Sequence, residues 1–378
     1  MPKKKTKLGA KLKDVDVGKA KSRQAAWLGP QEEGATQSIL ADYIVCKERF
    51  RVKYIEGLQE IERFNHSIEY GNMWHIAEEH LAAGSDWKSP VTEYCRELCV
   101  KYPYQQPDVV KWYRVLLVQF PIYLKYWEKH NDMKTRVPLY QEREFRVDYP
   151  LGSGRSVTLR GKLDGIDLLG PKSRRRAFLR ENKCKGQIDE ASVAKQLRFD
   201  LQTMVYPIVV RHMDLDLEGT RFGGVWYNIV RRPLSGGKGS IRPHKAKGKK
   251  PAETDNEYYA RLAGIIEEEG AYFFMRWTTE LTSSDLDLFQ LQCLNPLLEN
   301  LCDDYEWWSD CFANGLDPYD YLDRQLRFPD HLSRHYRLPY GIYNPIAEGR
   351  STDLDEYLDN GSKTGLVYNR NFFPELKS

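Results

Sequence analysis

Gly161-Lys162-Leu163-Asp164-Gly165-Ile166-Asp167, followed by Glu181-Asn182-Lys183 and then by Gln202-Thr203-Met204-Val205-Tyr206, is the stretch whose reading decides the fold. Val157, Leu159 and Leu163 alternate up to the first acid, the pattern of one face of a β-strand. An earlier alternation, Leu139, Phe145, Val147 and Tyr149 with charged residues mainly between, predicts a strand before it, and Leu151-Gly152-Ser153-Gly154 reads as the turn that joins them. A third strand is expected from about Ala177 to Lys183. The spacing of Val193, Leu197, Leu201 and Val205 then predicts a long amphipathic helix, and a further strand follows near Val225 to Val230. Three strands, a helix and a strand make an α/β core with a mixed β-sheet.

Helices are expected on both sides of this core. Ser38 is placed to cap a helix carrying Ile39, Tyr43, Cys46 and Phe50 on one face. A second helix is expected over Tyr70–Ala83, with more helix over about 91–130. Thr254-Asp255-Asn256-Glu257 is a capping box. A strand is possible near Tyr272–Trp277, and a helix over about Ser284–Phe312 contains Pro296, which predicts a kink or break. Gly315 is a helix stop, and the last 60 residues read as an irregular surface segment.

Composition narrows the class. An apolar fraction of 41% against 29% charged residues suits a packed globular chain and argues against wholesale disorder. No run approaches the roughly 18 apolar residues a membrane helix needs, so no membrane partner is expected. The N-terminus is basic but has no apolar stretch of a secretion signal, and the seven cysteines follow no disulfide rhythm. A cytoplasmic location is the expectation. Charge is uneven: residues 1–25 carry nine Lys/Arg against Asp14 and Asp16, and residues 231–250 carry eight with no acid. Both read as mobile segments, either solubilising tails or segments suited to contact with phosphates.

The chemistry lies in the spacing. Glu181 and Lys183, two apart in a strand, share a face, and a hairpin over Pro171–Arg176 would set Asp164 beside Glu181. Adjacent carboxylates repel unless a cation sits between them, and hard oxygen ligands suit Mg²⁺. Lys183 could then orient a water or hold a phosphate, with Gln202 and Tyr206, four apart on one helix face, reaching the same region.

Taken together, this ordered set resembles the PD-(D/E)XK nuclease superfamily, specifically its RecB-like branch, over roughly residues 36–230. That pattern also has an upstream Gly-x-x-x-His, which Gly71-Asn72-Met73-Trp74-His75 supplies, with Glu79 one turn later. Ser38, Leu40, Tyr43, Cys46, Phe50, Tyr54 and Gly57-Leu58 resemble the family's opening helix. The resemblance implies a restriction-endonuclease-like mixed β-sheet flanked by helices, with helical N- and C-terminal additions. It implies Asp164, Glu181, His75 and the backbone carbonyl of Asn182 as ligands of Mg²⁺ or Mn²⁺. Lys183 would be the catalytic lysine, Gln202 and Tyr206 would position substrate, and Asp167 could substitute or assist, although the Gly-x-x-Asp register favours Asp164. The expected division is a basic flexible tail over 1–35, a nuclease domain over 36–290 with a mobile basic loop at 231–252, and a C-terminal extension over 291–378 packed on the core.

His75 and His80 are five apart, about 500° around a helix, so they diverge and make no zinc-protease pair. An iron–sulfur cluster through Cys46, Cys293, Cys302 and Cys311 is disfavoured, because the last three recur every nine residues and the outer two would lie about 27 Å apart on one helix. Leu298, Leu301, Tyr305, Trp308 and Phe312 recur at helical spacing, which favours core packing over base stacking. Ser235-Gly236-Gly237-Lys238-Gly239 lacks the frame of a phosphate-cradling loop. The expected activity is metal-dependent hydrolysis of DNA, as an exonuclease on linear DNA in recombination, repair or phage DNA metabolism. A phage-encoded chain would work in the host cytoplasm, with a single-strand annealing protein as a possible partner. The alternatives are a structure-specific endonuclease and a DNA-binding recombination partner with a vestigial site.

Overall fold

The computed structural model describes residues 24–60, 62–130, 134–186, 200–234, 240–248, 251–316, 318, 366–374 and 376. The first helices, α1 (Gly29–Glu32), α2 (Gln37–Val45) and α3 (Lys47–Phe50), lead through a π-helical turn at Arg51–Ile55 into strand β1 (Leu58–Glu60). Three longer helices follow: α4 (His66–Ala82), α5 (Lys88–Lys101) and α6 (Gln106–Trp127). Strands β2 (Val137–Pro150), β3 (Ser156–Leu169) and β4 (Arg176–Lys185) come next, then α7 (Leu201–His212) and β5 (Arg221–Arg231). Helices α8 (Asp255–Glu268) and α9 (Gly270–Phe273) precede β6 (Phe274–Glu280). Helices α10 (Ser283–Phe289) and α11 (Asn295–Ala313) and strand β7 (Leu366–Tyr368) complete the order.

Strands β2 to β6 form one sheet in sequence order, antiparallel except for the parallel pair β4–β5, which α7 connects. Helices α2, α7 and α11 cover one face through Leu40, Tyr43, Val205, Val209, Leu298 and Trp308. Helices α4, α6 and α8 cover the other through Trp74, Phe120, Tyr123, Leu262 and Ile266. This is the mixed, helix-flanked sheet of the restriction-endonuclease-like α/β fold, with helical additions before and after it.

Several details depart from expectation. The cap of α2 is Thr36, whose hydroxyl accepts the Ile39 N–H at 3.3 Å, not Ser38, because the chain turns helical two residues earlier than expected. Residues 24–35, assigned to the basic tail, are packed: Trp27 is fully buried, and Ala35 exchanges backbone hydrogen bonds with Thr158 and Arg160 of β3. The rest of that tail, residues 1–23, lies outside the described residues. So does most of the irregular C-terminal segment, although β7 pairs antiparallel with β1 and Phe373 is buried.

The basic stretch expected to be mobile is held, over 240–248, against α8. The Ile241 N–H donates to Pro233, Tyr258 donates to the Ile241 carbonyl, and Arg261 bridges Glu253 and the Arg242 carbonyl. The break expected at Pro296 is present, since the α-helical run is interrupted just before it. Pro296 occupies the first turn of α11, where its missing N–H costs nothing, and a π-helical turn at Gln290–Leu294 precedes it. Helix α11 ends on Gly315 at φ 68°, with Leu316 and Gly315 N–H groups closing onto Cys311 and Phe312. Of its aromatics, Trp308 is core while Trp307 is 41% exposed.

Candidate active site

The site forms where β3 parts from β4. Strand β3 pairs with β4 only from Gly165↔Arg180 to Leu169↔Arg176. N-terminal to that point β3 keeps β2 on one edge and meets Ala35 on the other, at an isolated bridge with Leu159. The Asn182 N–H, left without a ladder acceptor by the splay, donates instead to Asp164 Oδ2 at 2.7 Å. Asp164 and Glu181 therefore stand at the apex of an opening between two strands, both almost fully buried.

Glu181 and Lys183 share a face, as their spacing requires, with Lys183 Nζ 3.1 Å from Glu181 Oε2. Lys183 also donates to Gln202 Oε1 from the first turn of α7, which Asp200 caps by accepting the Gln202 N–H at 2.9 Å. From the opposite side α4 delivers His75, whose Nδ1 lies 3.4 Å from Asp164 Oδ1. The structure thus brings His75, Asp164, Glu181, Lys183 and Gln202 together.

One expected residue, Tyr206, behaves differently. Tyr206 turns into the core, where its ring meets Phe145 edge-on at 5.4 Å and its hydroxyl lies over Gly161; a Cβ there would sit 2.8 Å from Phe145 and 3.3 Å from that hydroxyl. The Asn182 side chain points to the α6 side and accepts from Asn228 at 2.9 Å, so only its backbone is available to the carboxylates. Asp167 is neutralised, fully buried with Arg136 at 2.9 Å and Arg180 at 3.8 Å.

Glu142 is the residue that sequence reading missed. The flanking pairs Gln141↔Gly165 and Arg143↔Leu163 set it opposite Asp164 on β2. Its backbone is left-handed at φ 45°, a conformation that costs a non-glycine residue about 1 kcal/mol or more and that clusters at functional sites. Its carboxylate is nearly buried, with Oε2 2.8 Å from Lys162 Nζ and Oε1 3.9 Å from His75. Gln141-Glu142-Arg143-Glu144 reads in sequence as a solvated strand face, and nothing in it announces a backbone inversion.

Behind these groups lies Arg180, which is 1% exposed. Its guanidinium donates to the Asp164 carbonyl at 2.9 Å and to the Gln141 side chain, and pairs with Glu78 at 3.4 Å. Gly165 leaves room for it: a Cβ there would fall 2.9 Å from the Tyr140 carbonyl and 3.0 Å from the guanidinium. One buried cation therefore fixes the backbone beside both Glu142 and Asp164.

The donor set fits a divalent cation. His75, Glu142 and Asp164 each offer one ligand atom, all within 4.8 Å of one another. Glu142 Oε1 and Glu181 Oε1 are buried and lack a hydrogen-bond partner among the described residues. Buried carboxylate oxygens without donors are costly unless a cation meets them, and a set of oxygens with one imidazole suits Mg²⁺ or Mn²⁺.

The electrostatics agree. Burial, and next to it the Asp164 charge, push the Glu181 carboxyl up. Burial pulls His75 down, but Asp164 and Glu142 outweigh it and raise the imidazole to about 9. Glu142 is held below its ordinary value by His75 and Lys162 despite burial. Lys183, in spite of burial, stays firmly charged beside Glu181 and Asp164. A proton on His75 thus stands in for positive charge that this pocket of acids demands.

The family model describing the PD-(D/E)XK nuclease superfamily matches residues 35–281, while no curated protein matches the chain. The match spans well over half of the sequence and takes in β2 to β6 with every residue of the acidic pocket. The chain therefore belongs to the PD-(D/E)XK nuclease superfamily, a family of metal-dependent nucleases.

Proposed function

We propose that the protein is a Mg²⁺-dependent deoxyribonuclease, Mn²⁺ serving in its place, that degrades linear DNA as an exonuclease of the RecB-like branch. The observation that carries the reading is the pair of buried carboxylate oxygens, on Glu142 and Glu181, that lack a hydrogen-bond partner among the described residues, around Asp164 and beside the Lys183 ammonium. Asp164, Glu142, His75 and Glu181 would hold the cation, with the Asn182 carbonyl available from the same strand. A bound cation supplies an acidified water and neutralises charge on the scissile phosphate.

The protein's own groups do the rest. Lys183, fixed by Glu181 and Gln202, presents a positive charge to a phosphate oxygen or to the attacking water. Glu181 keeps that ammonium oriented. Lys162, 2.8 Å from Glu142 and 3.8 Å from Glu79, balances the acids from the α4 side. A role in recombination, repair or phage DNA metabolism, alongside a single-strand annealing protein, fits an exonuclease of this branch.

End-labelled linear duplex, linear single strand and covalently closed circles, each incubated with Mg²⁺, Mn²⁺ or EDTA, test the reading. Metal-dependent loss of linear DNA with circles intact is expected. Cut circles would move the assignment to an endonuclease, and DNA binding without cleavage under any metal would leave a binding protein.

A further inference from the structure

Past the carboxylates, the ends of the parallel strands β4 and β5 carry cations that hydrolysis itself does not use. Lys185 lies two residues beyond Lys183 and so projects to the same side of β4. Its carbonyl accepts the Arg232 N–H at 2.8 Å. The Arg232 guanidinium donates to the carbonyls of Cys184 and Ser67, each at 3.1 Å, and so ties the end of β5 to the first turn of α4. There His66 stacks flat on Trp112, with ring centroids 4.7 Å apart and planes 11° from parallel. Lys111 precedes Trp112 on α6 and lines, with Arg114 and Pro243, a concavity of about 520 Å³. Pro243 sits between Arg242 and His244, so the path runs on into the basic segment that packs against α8.

This succession of contacts makes one strip of half-buried cations that begins at the catalytic lysine. The acids facing it are Asp200 near Lys185, Asp108 near His66, Asp255, which Arg114 takes at 2.5 Å, and Glu253, which accepts the His244 N–H and is held by Arg261. Like charges gathered this way repel. Burial first, then Lys183, pulls the Lys185 ammonium below its ordinary value, with Arg232 adding to the effect. Burial and then Arg232 do the same to His66. A polyanion laid along the strip would relieve that repulsion and gain from counterion release.

We infer that DNA passes from the catalytic centre along this strip, its backbone phosphates held by Lys185, Arg232 and Lys111, with residues 242–247 as the outer end. The inference rests on the nuclease reading above and adds to it the face and the direction in which the DNA runs. The turn between β3 and β4, with Lys172 and Arg174, is equally basic but stands at the opposite end of β4, away from the strip.

Binding of the full chain to a short labelled duplex and to its single strand, in EDTA and across a salt series, tests this. The proteins compared are wild type, Lys111→Gln with Lys185→Gln, and, as a control, Lys172→Gln with Arg174→Gln, each checked by thermal unfolding. The strip variant should lower the slope of log K against log salt by about 1.8 on duplex, or about 1.4 on single strand, for two lost phosphate contacts. The control should keep the wild-type slope. An unchanged slope in the strip variant, while wild type binds tightly, overturns the strip and leaves the nuclease reading standing. A wild-type protein that binds neither DNA overturns the nuclease reading and the strip with it.

Discussion

Glu142→Gln separates a metal ligand from a structural acid. The substitution keeps the shape and the left-handed backbone, and removes one charge from a group whose ligand atoms lie within 4.8 Å of one another. The loss to the fold is small. The Lys162 pair and the longer His75 contact are lost, and with the lysine and the imidazole each about one-third exposed, each contributes at most about 1 kcal/mol. The loss to metal binding is larger. Removing even an outer-shell partner of a ligand weakens metal affinity by about 10- to 100-fold, and a ligand oxygen should do no less.

At a metal concentration of about 100 times the wild-type Kd, binding stabilises the wild type by about 2.7 kcal/mol. A 10-fold weaker site would retain about 1.4 kcal/mol and a 100-fold weaker one about 0.4 kcal/mol, by the same relation. The assay is thermal unfolding in EDTA and in Mg²⁺ or Mn²⁺. Nearly equal midpoints in EDTA, with the metal-dependent increment cut to half or less in the variant, are expected. A Glu142→Gln protein that keeps the full increment would refute its assignment as a ligand.

Two further expectations follow from the same pocket. Arg180→Met leaves Glu78 and Asp167 buried with less or no compensating charge, which should cost about 3–5 kcal/mol in urea unfolding; a cost under about 1 kcal/mol would show that the guanidinium does not hold the pocket together. Metal affinity should rise with pH. In the metal-free protein the His75 proton, with a pKa raised from 6.5 to about 9, contributes stability below pH 6.5 that is lost as pH rises through about 9. The cation must displace that proton and any on Glu181, so calorimetry in buffers of different ionisation enthalpy should detect proton release near neutral pH. Binding with no proton release and no pH dependence over this range would contradict the arrangement.

Much of this was legible in the residues themselves. Strand alternation around Leu163 and the Glu181/Lys183 spacing depend on local geometry alone, and both survive in the fold. The Thr254 capping box is likewise local and forms as expected. What escaped depends on contacts far apart in sequence. Glu142 faces Asp164 only because β2 and β3 hold their register through a left-handed residue, and strand periodicity assigns it to solvent. Arg180 alternates with Leu179 and Glu181 as a polar strand residue should, yet Glu78 on α4 and Gly165 on β3 make it a buried cation. Tyr206 follows the helical spacing from Gln202, but the wide apolar face of α7 takes it into the core against Phe145. Trp27 lies next to a basic, apolar-poor stretch, and its burial depends on Phe50, Tyr54 and Tyr305 meeting it from distant segments.

The measurement that bears most directly on the central claim is the rate of linear DNA hydrolysis by wild type, Asp164→Asn and Glu181→Gln across a Mg²⁺ titration, with folding verified in EDTA. The account predicts Mg²⁺-dependent hydrolysis by the wild type and a loss of at least about 100-fold in each variant, with saturation moved to higher metal. Hydrolysis that persists in EDTA, or that survives both substitutions at the wild-type rate, would contradict the claim that these carboxylates hold the catalytic cation.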